Sequence, residues 1–286
     1  MRSPKKFLAV LTALTLVVLG CSNSAEAKPV VLVVSFGTSY NDNRDLSIGG
    51  IENALKDKYG DTYEVRRAFT SQIIIDKLKE RDNIVIDNVQ EAMDRLVKDG
   101  VKEVVIQPTH VMNGFEYDDV VNEVSEYEDK LTSFKIGKTL LTQDSDYDTL
   151  VQVITDDTKD YNKDGTAIVF MGHGTEHNAN ATYAKVQDTL KAKGFGNYFV
   201  GTVEAEPTLE DVIAEAKAMG ATKAVLLPLM IVAGDHANND MAGDEEDSWK
   251  TAFENEGFEV ECVLKGLGQY KGIQDLIVKH AGETIG

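Results

Sequence analysis

Gly220-Ala221-Thr222-Lys223-Ala224-Val225-Leu226-Leu227-Pro228 repeats a pattern met earlier in the chain, Gly100-Val101-Lys102-Glu103-Val104-Val105-Ile106-Gln107-Pro108. Each copy has a glycine where a helix would stop, a short polar step, and an apolar run closed by proline. Glycine adopts the left-handed conformation that ends helices without steric penalty. A short apolar run between turn signals reads as a strand buried on both faces. The offset of 120 residues holds as far as Gly114 and Gly234. A second pair, Val33-Val34-Ser35-Phe36-Gly37-Thr38 and Phe170-Met171-Gly172-His173-Gly174-Thr175, aligns at an offset of 137. The chain therefore contains two related halves.

Working outward, Pro29 to Phe36 and Val104 to Pro108 read as further buried strands. Helical spacing appears at Ile86 to Lys98, through Ile86, Val89, Ala92, Met93, Leu96 and Val97, and again at Val212 to Met219. Gly100, Gly194 and Gly220 stand where helix C-terminal caps belong. Strand-helix-strand alternation implies right-handed crossovers and parallel pairing. The expected fold class is α/β, with two similar lobes, each a parallel sheet flanked by helices, and a cleft between them. The lobes are placed at residues 28–155 and 166–286, with the polar stretch Asp156 to Gly165 as the link. Within that stretch, Asp160-Tyr161-Asn162-Lys163-Asp164-Gly165 matches the first half of a calcium loop. Its twelfth position is Met171 instead of a bidentate glutamate, so it reads as a polar turn.

The N-terminus speaks to location. Arg2, Lys5 and Lys6 precede the uncharged apolar run Phe7 to Leu19, too short to span a bilayer comfortably and suited to a signal-peptide core. The run ends Val18-Leu19-Gly20-Cys21, which resembles a bacterial lipobox, so residues 1–20 are expected to be removed and Cys21 lipidated as a membrane anchor. Ala25-Glu26-Ala27 offers an alternative cleavage site for a soluble exported protein. Either way the mature chain is expected outside the cytoplasm. The full sequence's formal charge of −19 argues against nucleic acid or an anionic membrane surface as a partner. With two cysteines, Cys21 and Cys262, neither a disulfide framework nor a cysteine metal cluster can be built once Cys21 is lipidated. Cys262, alternating within Phe258 to Leu264, reads as a small core residue on a strand.

Ligands of open α/β sheets bind beyond the carboxyl ends of the strands. Two of the five histidines stand there: His173 after Ile168 to Gly172, and His236 after Val225 to Asp235. Neutral imidazole at such a place is a candidate metal ligand or proton acceptor. In the first half the equivalent positions are Phe36 and Glu116, so the site is asymmetric.

Several phrases carry a family resemblance: Val-Ser-Phe-Gly-Thr-Ser (34–39), Phe-Met-Gly-His-Gly (170–174), Gly-Thr-Val-Glu (201–204), Leu-Met-Ile-Val-Ala-Gly-Asp-His-Ala-Asn-Asn-Asp-Met-Ala (229–242) and Asp247-Ser248-Trp249-Lys250. Together they resemble the anaerobic sirohydrochlorin cobaltochelatase family, from about residue 30 to the C-terminus. The resemblance implies a class II chelatase-like fold and insertion of Co²⁺ into sirohydrochlorin, or its precorrin-2 form, during cobalamin synthesis. It also implies metal ligands at His173, Glu204 and His236, with His173 as proton acceptor.

The chemistry agrees with that implication. Imidazole and carboxylate suit divalent first-row metals, so Ni²⁺, Fe²⁺ or Zn²⁺ would also be accepted in place of Co²⁺. Three protein ligands leave positions open for pyrrole nitrogens, and acid weakens such a site because its ligands must be deprotonated. No P-loop motif occurs, so no nucleotide is expected. Ser35, Gly37 and Thr38 repeat the turn that carries His173 and are candidates for substrate binding. Glu206 is the alternative carboxylate to Glu204. His110 reads as structural, His177 as the start of a helix, and His280 as a surface residue. Arg66 and Arg67 are candidates to meet the carboxylates of a tetrapyrrole. A homo-oligomer is left open. The export signal sits awkwardly with a cytoplasmic pathway, and it keeps alive a second reading: a lipoprotein that captures haem, another tetrapyrrole or a metal without catalysis.

Overall fold

The computed structural model describes residues 27–286; the leader and Cys21 lie outside them. Among the described residues, eight strands form two parallel sheets of four. The first joins β1 (Val30–Ser35), β2 (Glu64–Phe69), β3 (Glu103–Pro108) and β4 (Ser133–Ile136) in the order β2-β1-β3-β4. The second joins β5 (Thr166–Gly172), β6 (Tyr198–Thr202), β7 (Lys223–Pro228) and β8 (Glu259–Cys262) in the order β6-β5-β7-β8. The two orders are the same, as the sequence repeat requires. Every residue of β1 and β5 is buried, which explains runs with no polar alternation: a central parallel strand has no solvent face.

Nine α-helices flank the sheets among the described residues: α1 (Asn41–Tyr59), α2 (Gln72–Asp82), α3 (Val89–Lys98), α4 (Phe115–Ser125), α5 (Asp144–Asp157), α6 (Ala181–Ala192), α7 (Leu209–Ala218), α8 (Trp249–Asn255) and α9 (Lys271–Ile285). The expected periodic segments are α3 and α7, both closed by capping boxes at their N-termini. Gly100, Gly194 and Gly220 take positive φ of 78°, 89° and 79°.

Alternate residues of each central strand enter different cores. Val30, Leu32 and Val34 pack with Met93, Leu96 and Val120 from α3 and α4. Ala167, Val169 and Met171 pack with Val212, Trp249 and Phe253 from α7 and α8. The remaining faces share one continuous core. There Val31 and Val33 join Ile51, Leu55, Ile273 and Ile277, and Ile168 and Phe170 join Leu150, Ile154, Val186 and Leu190.

That shared core reveals an exchange of helices. α5 follows the first sheet in sequence but packs on α6 and α9, and its Thr158 cap hydroxyl bonds the Tyr198 hydroxyl of β6 at 2.9 Å. α9 follows the second sheet but returns to the first. It packs on α1, β3 and β4, and the Ile285 carbonyl accepts from Lys135 Nζ at 2.7 Å. The crossings therefore lie between β4 and α5 and between β8 and α9. The polar stretch expected as the link only joins α5 to β5, with Asn162 Oδ1 accepting from Asn197 at 2.9 Å.

Where α5 and α9 meet, His280 is fully buried, with its Nε2 3.2 Å from Asp146 Oδ1. The expectation of a surface histidine fails because α9 is covered on one side by α1 and on the other by α5.

Candidate metal centre

β5 delivers His173 between two glycines that have no substitute. A Cβ on Gly172 would overlap the Tyr183 ring, and Gly174 has φ +88° with its Cβ position 2.7 Å from the Ala205 nitrogen. The Gly174 N–H donates to the Tyr183 hydroxyl at 3.2 Å. Burial raises the Tyr183 pKa, so that hydroxyl keeps its proton. β6 then brings Glu204. Its N–H donates to the His173 carbonyl at 2.9 Å, and the Val203 N–H to the Gly172 carbonyl at 3.0 Å. The parallel ladder thus continues past the strand ends and fixes Glu204 beside His173. His236 follows β7 in the first helical turn of a short segment that widens into a π-helix at Ala237–Met241, a form that recurs at functional sites.

The three side chains converge. One ligand atom from each of His173, Glu204 and His236 lies within 4.8 Å of the others. The imidazoles sit edge to face with centroids 4.6 Å apart. His173 Nδ1 is 2.8 Å from the Gly174 carbonyl and His236 Nδ1 is 2.8 Å from Asp240 Oδ2. Both partners can only accept, so each Nδ1 carries the hydrogen and each Nε2 presents its lone pair. The side chains stay 46%, 55% and 35% exposed, in the order His173, Glu204, His236. This is an open site with two nitrogen ligands and one carboxylate, able to hold a divalent ion and exchange its remaining positions. Glu204, not Glu206, is the carboxylate that joins the histidines.

The cleft faces the first lobe. Asn43 Oδ1 accepts from Ala233 N at 2.8 Å, and Thr38 Oγ1 stands 3.3 Å from where a Cβ on Gly234 would lie. Ser35 and Thr38 themselves are buried: Ser35 Oγ accepts from Thr109 Oγ1 at 2.8 Å, and Thr38 Oγ1 from Tyr40 N at 3.3 Å. Their hydroxyls hold the turn, and Gly37, also buried, bends it with φ +100°. The residue this turn exposes is Phe36, at 47%.

His177 starts a helical turn, as expected, with Nδ1 accepting from Ala179 N at 3.0 Å. Its Nε2 therefore bears the hydrogen and faces Asp118 across the cleft at 3.7 Å. His110 is not the satisfied structural histidine expected, since neither ring nitrogen has a hydrogen-bond partner among the described residues. Glu116 lies 3.4 Å from its Nε2. Arg66 and Arg67 do not serve the cleft: Arg66 pairs with Glu64 and Asp99, and Arg67 with Glu52. Cys262 is half-buried on β8.

Comparison with known proteins identifies the family. The model of the family described as cobalt chelatase (CbiK) matches residues 29–286. The chain is 39% identical to the sirohydrochlorin cobaltochelatase of Salmonella typhimurium over 90% of its length and 97% of that protein's. It is 29% identical to sirohydrochlorin cobaltochelatase CbiKC of Nitratidesulfovibrio vulgaris over 90% of its length and 91% of that protein's. Among solved structures, SirB from Bacillus subtilis with Fe³⁺ superposes with a TM-score of 0.61 at 12% identity, covering 90% of this chain and 96% of that one. A multi-domain Deinococcus radiodurans protein with structural similarity to chelatases gives 0.58 at 14% identity, over 90% of this chain and 56% of that one. The solved structures share the two-lobed fold, and the two sequence relatives are both sirohydrochlorin cobaltochelatases. The chain belongs to the cobalt chelatase family and is an enzyme of metal insertion.

Proposed function

We propose that this protein inserts Co²⁺ into sirohydrochlorin, or its precorrin-2 form, and does so outside the cytoplasm. The observation that carries the proposal is the convergence of His173, Glu204 and His236 within 4.8 Å at the ends of three neighbouring strands. The two relatives that are sirohydrochlorin cobaltochelatases support the choice of macrocycle.

The ion is held through Nε2 of His173 and His236 and a carboxylate oxygen of Glu204. Pyrrole nitrogens displace these ligands in turn. As His173 releases the metal, its Nε2 lone pair takes one of the two pyrrole protons, and the other leaves to water through the open site; each N–H bonding pair stays on its nitrogen and forms a bond to cobalt. His236 and Glu204 hold and release the ion. The turn of Ser35, Gly37 and Thr38 serves the substrate by what it displays. No nucleotide enters this scheme, and the same ligand set accepts Ni²⁺, Fe²⁺ or Zn²⁺.

The leader and Cys21 support export and lipid anchoring. Export also suits the second reading, a tetrapyrrole- or metal-capturing lipoprotein without catalysis. Mixing purified protein with sirohydrochlorin and Co²⁺ and following absorbance separates the two. Insertion well above the uncatalysed rate, reduced about 100-fold or more in His173→Ala, is expected. A rate equal to background in the wild type sinks the enzymatic reading.

A further inference from the structure

Two phenyl rings in the first lobe lie in water, while every other aromatic of the described residues is buried or half-buried. Phe36 is 47% exposed and Phe115 57% exposed, and they are the two aromatics among the large exposed apolar side chains of the described residues. Both follow carboxyl ends of first-lobe strands, Phe36 after β1 and Phe115 in the first turn of α4 after β3.

The exposure of Phe36 is built into the chain. Gly37, at φ +100°, turns the backbone so tightly that a Cβ there would lie 2.6 Å from the Phe69 ring. Phe69 fills the buried place and Phe36 is turned out. In the second lobe the matching turn, with Gly174 at φ +88°, displays His173. One turn thus shows an imidazole from one side of the cleft and a phenyl from the other. Phe115 matches Asp235, next to His236, in the 120-residue repeat.

Contacts put the turn that bears Phe36 and the ring of Phe115 at the cleft. The turn bearing Phe36 abuts Gly234 through Thr38, two residues before His236. Phe115 packs edge-on against His177 with centroids 4.9 Å apart, in the loop that follows His173.

We infer that Phe36 and Phe115 form an aromatic platform for one flat face of the tetrapyrrole, while the second lobe delivers metal to the other face. A conjugated macrocycle has two apolar faces and a charged rim. Offset stacking on phenyl rings suits the face, and the polar trio opposite suits the metal. This deepens the proposed function and rests on it.

The test separates binding of the ring from binding of the metal. Metal-free sirohydrochlorin is titrated into wild type, Phe36→Ala, Phe115→Ala and Phe36→Leu, and Co²⁺ affinity is measured separately by calorimetry. Each alanine variant is expected to weaken macrocycle binding about 10-fold and raise KM similarly, with Co²⁺ affinity within about twofold of wild type. In Phe36→Trp the introduced indole is expected to be quenched by the macrocycle, over the constant signal of Trp249, which is 3% exposed. Macrocycle affinity unchanged in both alanine variants, or Co²⁺ affinity lowered to the same degree, overturns the platform. Absence of macrocycle binding by the wild type overturns the proposed function itself, and is thereby told apart.

Discussion

Asp240 Oδ2 stands 2.8 Å from His236 Nδ1, one helical turn further along the chain. The carboxylate orients the ring and fixes its tautomer, leaving the other nitrogen's lone pair to meet the metal. Loss of such an outer partner weakens metal binding by about 10- to 100-fold. Asp240→Ala is therefore expected to lower Co²⁺ affinity in that range by calorimetry without unfolding the protein, since the side chain is 44% exposed. Unchanged affinity would remove Asp240 from the site.

The glycine after His173 is expected to matter more than one at a helix end. Gly174 and Gly220 both have positive φ, 88° and 79°, but of the two only Gly174 has neighbours within 4 Å of where a Cβ would lie. Gly220→Ala should cost about 1–3 kcal/mol of backbone strain and leave Co²⁺ affinity alone. Gly174→Ala should cost more and also push the Ala205 backbone, and with it Glu204, away from His173. Urea unfolding and calorimetry on the two variants check this; equal Co²⁺ affinities would refute the coupling.

His280 and Asp146, both with no exposed side-chain area, join α9 to α5. Asp146 Oδ2 also accepts from Gln143 N at 2.8 Å and Thr142 N at 3.1 Å. Removing either side chain leaves the other buried without its partner. His280→Ala and Asp146→Ala are each expected to destabilise by about 2–5 kcal/mol. The double variant should lose clearly less than the sum. Additive losses in urea titrations would show that the pair is not coupled.

Burial pushes the Cys262 thiol up to about 11. A thiol whose pKa is raised by folding contributes stability that is present below its unfolded value, near 9, and lost as pH rises toward 11. In a Cys21→Ser background, iodoacetamide at about pH 8.5, near the pKa of a free thiol, should modify Cys262 slowly in the native protein and quickly in urea. Equal rates would contradict the buried thiol.

Much of the architecture is legible because duplication leaves a signature that composition cannot: the same glycine-strand-proline phrase at a fixed offset, and matching turns around Phe36 and His173. The two histidines are legible from their place after strands. Glu204 is visible only through its phrase, since nothing in its spacing marks it as their neighbour; the ladder between Glu204 N and the His173 carbonyl does that. Asp240 has a faint signal, its spacing of four from His236, which gains meaning only once that segment is known to be helical. Tyr183 has none, because the need for it arises from the ring-sized space that Gly172 leaves. The exchange of α5 and α9 is illegible for a general reason. An amphipathic helix records that one face is buried, not which sheet buries it, and the partners His280 and Asp146 are 134 residues apart.

The exchange of α5 and α9 also governs the order in which the protein can be made. A nascent chain that has released β1 to β4 holds all four strands of its first sheet, yet Val31, Val33 and Val105 still lack Ile273, Leu276 and Ile277. Beside α1, part of that sheet's apolar face stays uncovered until the last helix emerges, more than a hundred residues later. Synthesis therefore runs ahead of folding, and neither half completes its core from its own residues alone.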